Sequence, residues 1–156
     1  MPRGPAPINI LLVEDDLNDV ELTRRALARA KVQNRVWVVT NGADALAFLR
    51  REGFHEGVPR PDLVLLDLNL HSLDGRDVLL RIREDPRWHV LPVVVLTASE
   101  AEREQVATLA ADAFLTKPVE FVRLGEAIRA IAGLGWAIVK VATGRGPTGR
   151  RGVARP

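Results

Sequence analysis

Residues 61–70 read PDLVLLDLNL, a stretch that is apolar without interruption from Leu63 to Leu66 and then stops at Asp67. A strand with one face in water alternates apolar and polar residues, whereas a continuous apolar run marks a strand buried on both faces, as in a parallel sheet covered by helices on each side. Asp67 does not belong in such a run for packing reasons, because a buried carboxylate without a partner is costly. It is therefore read as functional.

Working outward, four more short apolar runs read as strands: Ile8–Val13 (INILLV), Val36–Thr40 (VWVVT), Val93–Thr97 (VVVLT) and Ala113–Thr116 (AFLT). Between them lie segments of helical periodicity over Asn18–Lys31, Ala43–Arg51, Gly75–Glu84, Glu100–Ala110 and from Glu120 onward. In the first, Val20, Leu22, Ala26, Leu27 and Ala30 form one stripe while Arg24, Arg25 and Arg29 face water. The alternation predicts an α/β fold of type (βα)5, a flavodoxin-like three-layer sandwich whose parallel sheet runs in the order 2-1-3-4-5. In such sheets ligands bind beyond the carboxyl ends of the strands, where the strand order reverses.

Composition bounds the chemistry. The 156 residues suit one domain, and 47% hydrophobic with 27% charged residues fits an ordinary globular chain. No apolar run reaches the roughly 18 residues of a membrane span, and the start, MPRGPAPINI, lacks the apolar stretch of a secretory signal, so a cytoplasmic protein is expected. With no cysteine, disulfides, thiolate metal sites and cysteine nucleophiles are excluded. The net charge of +2 and the pI near 9.6 conceal an asymmetry. Five basic residues and no acidic one follow from Lys140 on, which leaves residues 1–139 with a net charge of −3. The expected organisation is a flexible N-terminus over 1–7, a folded domain over 8–140 and a basic Gly/Arg-rich flexible tail over 141–156.

The strand ends carry the chemistry. The first strand ends in Glu14-Asp15-Asp16, the third in Asp67, the fourth in Thr97 and the fifth in Thr116-Lys117. In the predicted topology these meet in one crevice, where gathered carboxylates repel unless a cation sits among them. With oxygen ligands only, a hard divalent ion such as Mg²⁺ is expected. Asp16 reads as a helix N-terminal acid.

LLVEDD, LVLLDLNLHSLDG, LTAS and LTKP, in that order, resemble the receiver domain of bacterial two-component response regulators, over about residues 8–139. The resemblance implies Asp67 as phosphoacceptor, Mg²⁺ held by Glu14, Asp15, Asp67 and the backbone carbonyl of Asn69, Lys117 paired with the phosphoryl oxygens, the Thr97 hydroxyl bonded to one of those oxygens, and Thr97 with Phe114 as the switch pair. REGFHEGVPRP before the third strand, PRWHVLPVVVLTAS and EAIRAIAGLGWAIVKV resemble stand-alone receivers that serve phytochrome-type histidine kinases. The implied function is a single-domain response regulator that is not otherwise an enzyme, takes its phosphoryl group from a sensor histidine kinase and acts through protein contacts, with no DNA-binding domain and no membrane contact. A homodimer through the last helix, with Trp136 in its apolar face, is expected. Two departures stand out. Thr97 and Lys117 are two residues closer than the family pattern, with LAADAF in place of a glycine-containing turn, which implies a shortened fourth helix. His71 stands where proline is frequent.

Two other functional classes compete. A haloacid-dehalogenase-like, Mg²⁺-dependent phosphohydrolase also uses a strand-end Asp nucleophile, but its motif wants an acid where this chain has Asn69. A flavin-binding flavodoxin needs Ser, Thr and Gly where this chain has Glu14-Asp15-Asp16. His55, His71 and His89 read as structural or solvent-exposed, and Trp37 and Trp88 as packing. Asp74-Gly75 reads as a turn and helix start. Gly144–Gly149 matches GxGxxG only literally, with no strand before it and no helix after it.

Overall fold

The computed structural model describes residues 7–71 and 73–131. Five strands, β1 (Ile8–Val13), β2 (Asn34–Val39), β3 (Leu63–Asp67), β4 (Val93–Thr97) and β5 (Ala113–Thr116), alternate with α1 (Leu17–Arg29), α2 (Gly42–Arg50), α3 (Gly75–Glu84), α4 (Glu100–Gln105) and α5 (Phe121–Ala130). The strands form one parallel sheet in the order β2-β1-β3-β4-β5, as the alternation predicts.

Every residue of β3 and β4 is buried, which is what their unbroken apolar runs require. The period-two alternation of side chains sorts each strand between two cores. Leu11, Val13, Val64, Leu66, Val93 and Val95 pack under α2 and α3 with Phe48, Ile82 and Trp88. Ile10, Leu12, Leu63, Leu65, Val94 and Leu96 pack under α1 and α5 with Leu27, Leu124 and Ile128. Because β1 is flanked by β2 on one side and β3 on the other, successive crossovers leave it in opposite directions, and its carboxyl end opens into a crevice.

Element boundaries differ from the sequence expectation where the stop signal is not glycine. α1 and α2 are followed by Lys31 and Arg51, which adopt left-handed conformations (φ 63° and 57°) that glycine usually supplies at helix ends. The fourth helix, periodic in sequence through Ala110 but expected to be shortened, ends at Gln105. Val106 is buried, and Leu109 and Ala111 turn onto the core under α3. Arg83 of α3 fixes this turn: its Nε donates to Ala110 O (2.6 Å), Nη1 to Leu91 O (2.7 Å) and Nη2 to Asp112 Oδ2 (3.0 Å). The shortening is absorbed between Gln105 and Asp112, so Thr97 still pairs with Thr116 across β4 and β5.

Asp74 caps α3 through Arg76 N–H (2.7 Å), as its turn reading implies, but Gly75 has a further role. A Cβ there would stand 2.5 Å from Asp67 O and 2.6 Å from Leu68 Cα, both backbone atoms. Gly75→Ala is therefore expected to destabilise the fold by about 1–3 kcal/mol, the range for overpacking, seen as a lower urea midpoint at unchanged slope. A midpoint equal to wild type would show that α3 can move away from β3 freely.

No described helix is long and apolar enough to cross a membrane. The expectations placed on Trp136, on Gly144–Gly149 and on the basic tail fall outside the described residues.

Candidate active site and metal centre

The carboxyl ends of β1, β3, β4 and β5 enclose a cleft of about 470 Å³, with Asp67 and Lys117 in its wall and Asn69 and Ala98 at its rim. Backbone bonds continue the sheet one step past the strands: Glu14 N–H donates to Val39 O (3.0 Å), Leu68 N–H to Leu96 O (3.2 Å) and Lys117 N–H to Thr97 O (2.8 Å). These bonds fix the polar residues that follow each strand. The Lys117–Pro118 peptide is cis. Asp16 accepts from Asn18 N–H (2.8 Å) and Asp19 N–H (3.1 Å), so it is the helix-starting acid that the sequence suggests.

Lys117 Nζ lies 2.7 Å from Glu14 Oε1, 3.0 Å from Asp19 Oδ2 and 3.0 Å from Asp67 Oδ2. Burial pulls this ammonium's pKa down, but the three carboxylates outweigh burial and hold it above its ordinary value, so it stays charged. Glu14, fully buried, is pushed up from 4.5 to about 7, first by burial and then by the neighbouring Asp67 carboxylate, against the pull of Lys117. Asp67 is 2% exposed and accepts from Asn69 N–H at Oδ1 (3.0 Å) and from Lys117 at Oδ2.

Glu14, Asp15 and Asp67 each present one oxygen within 4.8 Å of the others. Glu14 Oε1 and Asp15 Oδ2 are both buried, the first beside Lys117 Nζ at 2.7 Å and the second against His71 Nδ1. Three carboxylate oxygens converging beside a single ammonium leave an excess of negative charge, and an all-oxygen set of this kind fits a hard divalent cation. His71, expected to be structural or solvent-exposed, is exposed, yet its Nδ1 contacts Asp15 Oδ2.

Thr97 is buried, but its hydroxyl is loosely held, donating over 3.4 Å to Leu115 O and 3.5 Å to Thr116 Oγ1, beyond the usual O–H···O range. The register pairs Val95 with Phe114 and Thr97 with Thr116, so Thr97 and Phe114 share one face of the sheet. Phe114 is half-buried there beside Leu109 and Ala111.

Of the residues singled out in the sequence, Glu14, Asp15, Asp67, Asn69 and Lys117 line one cleft and Thr97 ends the adjacent β4, while three neighbours are absent from the sequence reading. Asp19 is the third partner of Lys117. Glu102 Oε1 accepts from Ala98 N–H (2.8 Å) and Asn69 Nδ2 (3.2 Å). Glu100 accepts from the Thr116 hydroxyl. A signal existed for Glu102, because Ser99-x-x-Glu102 has the form of a capping box.

The response regulator receiver domain model matches residues 10–129. Among curated proteins, the chain is 42% identical over 113 residues to "Response regulator Rcp1" of Synechocystis sp., covering 71% of this chain and 77% of that protein. Among solved structures, the bacteriophytochrome response regulator RtBRR is 42% identical with a TM-score of 0.76, covering 81% of this chain and 78% of that one. The phosphorylated cyanobacterial phytochrome response regulator RcpA is 41% identical with a TM-score of 0.66, covering 78% and 88%. These matches favour a receiver over the phosphohydrolase alternative, which finds no support among them. Together with the five-stranded order and the acid-lined cleft, they establish that the chain belongs to the response regulator receiver domains, signalling proteins phosphorylated on an aspartate.

Proposed function

We propose that this chain is a stand-alone response regulator that accepts a phosphoryl group on Asp67 from a histidine kinase. The observation that carries the reading is the Asp67 carboxylate, nearly buried yet in the wall of the cleft, 3.0 Å from a permanently charged Lys117. An Asp67 oxygen attacks the phosphorus, the phosphorus–nitrogen bond of a phosphohistidine breaks, and the imidazole leaves with the electron pair. Lys117 offsets the charge gathered on the phosphoryl oxygens, and positioning and charge neutralisation account for most of such a transfer. Glu14, Asp15 and Asp67, with the Asn69 carbonyl, would hold Mg²⁺, which supplies further charge neutralisation and orients the phosphoryl group.

The acyl phosphate adds roughly −2 of charge, giving the loosely held Thr97 hydroxyl a strong acceptor. When Thr97 turns toward it, space opens on the face that Phe114 shares, and Phe114 can rotate inward. In this role the protein catalyses only its own phosphorylation and dephosphorylation, works in the cytoplasm and signals through protein contacts. The two similar phytochrome response regulators of known structure support a phytochrome-type kinase as partner.

Incubation with acetyl phosphate and Mg²⁺ followed by intact mass measurement tests the reading. One added phosphoryl group is expected, and none would overturn it. A homodimer through the segment containing Trp136 is part of the proposal: sedimentation should show weaker association for Trp136→Ala than for wild type, and a monomer in both removes it.

A further inference from the structure

Two acids of the six-residue α4 hold the polar ends of three strands. One oxygen of Glu102 accepts from Ala98 N–H (2.8 Å), the residue after β4, and from Asn69 Nδ2 (3.2 Å), two residues after Asp67. Ser99 Oγ accepts from Glu102 N–H (3.1 Å), so the two residues form one arm of a capping box. The returning arm of such a box ordinarily reaches the N-cap residue's own N–H. Here it goes one residue further back, to Ala98, at the rim of the cleft. In the same turn Glu100 accepts from the Thr116 hydroxyl, which is the neighbour of Thr97 Oγ1.

We propose that Glu102 is a positioning residue that restrains phosphorylation, because its carboxylate occupies the Ala98 N–H and the Asn69 amide that border the place of the phosphoryl oxygens. The inference rests on Asp67 being the phosphoacceptor. An acyl phosphate brings three acceptor oxygens and roughly −2 of charge into a cleft edged by Glu102. Those oxygens compete with Glu102 for the Ala98 N–H, and charge-assisted bonds to phosphate are strong. Like-charge repulsion acts in the same direction. Displacing Glu102 also frees Asn69, on the loop next to the phosphoacceptor, and removes one of the bonds that tie α4 to the end of β4. The effect of phosphorylation thereby reaches α4 through hydrogen bonds at its first turn.

The competing account is that Glu102 only caps α4. Gln serves in a capping box as Glu does, so Glu102→Gln keeps the cap and the acceptor oxygen and removes only the charge. The full chain, as wild type and as Glu102→Gln, is incubated with acetyl phosphate and Mg²⁺ and followed by intact mass, with thermal melting as a check on folding. The expected result is phosphorylation about three- to tenfold faster in Glu102→Gln, from the removal of one like charge, at an unchanged melting temperature. Equal rates in the two proteins would overturn the proposal. In amide NMR, the Ala98 resonance should shift when beryllofluoride and Mg²⁺ are added to wild type, and should also shift in Glu102→Ala without them. An Ala98 resonance unmoved in both cases overturns the proposal independently. Failure of wild type to take up any phosphoryl group would instead overturn the Asp67 reading beneath it, so the two failures are distinguishable.

Discussion

Asp67→Asn is expected to abolish phosphoryl uptake completely while leaving the fold intact. Asn matches Asp in shape and retains an oxygen to accept the 3.0 Å bond from Asn69 N–H, so the β3–α3 loop keeps its anchor. What it loses is the anionic oxygen that attacks phosphorus. The other two acids beside Lys117 are engaged: Glu14 is fully buried against it, and Asp19 is drawn to the same ammonium. After incubation with acetyl phosphate and Mg²⁺, wild type should gain the mass of one phosphoryl group and the variant none. Melting should not fall, because the substitution removes one of three carboxylates crowded around a single ammonium and so relieves repulsion as well as attraction. Undiminished uptake by Asp67→Asn would assign the phosphoacceptor elsewhere.

Asp67 was legible because burial on both faces leaves a one-dimensional trace: five apolar runs, four of them ending in a polar residue that packing does not explain. The strand order follows from the same pattern through the geometry of crossovers. What could not be read depends on side chains far apart in sequence. The Thr97–Lys117 spacing implies that α4 is short, but not that Arg83, 27 residues before Ala110, ties down the turn that follows Gln105. The Glu102–Asn69 bond spans 33 residues, and the Asp19–Lys117 bond 98. Local periodicity carries no information about such bonds. Lys31 and Arg51 end α1 and α2 in a conformation for which their residue types give no cue. Gly75 was legible as a turn residue, but the reason that no side chain fits, the backbone of Asp67 and Leu68 within 2.6 Å, is tertiary. The same close approach holds the phosphoacceptor's backbone against the start of α3.

The crowding of carboxylates that fits the cleft for a divalent cation also makes the metal-free protein pH-sensitive, and Glu14→Gln isolates the effect. Folded Glu14 holds its proton up to about pH 7, whereas its ordinary value is 4.5. Below 4.5 the group is neutral in both folded and unfolded chains and its stabilising share is fully present. As pH rises toward and through 7, the unfolded chain releases the proton that the folded one retains, and stability is lost. The full loss is about 3 kcal/mol at 1.36 kcal/mol per pKa unit. The raised value already includes the pull of Lys117, so burial and Asp67 together outweigh that ion pair. Gln is neutral at every pH. Metal-free Glu14→Gln should therefore match wild type near pH 4.5 and exceed it by up to about 3 kcal/mol above pH 7, read from urea midpoints in the presence of a chelator. Added Mg²⁺ should reverse the order above pH 7, because a ligand that binds only the folded state stabilises it in proportion to its affinity and the variant has lost one of three convergent oxygens. A metal-free variant less stable than wild type above pH 7 would mean that the Lys117–Glu14 pair outweighs the burial of the charge. Equal Mg²⁺ stabilisation of both proteins would remove Glu14 from the metal site.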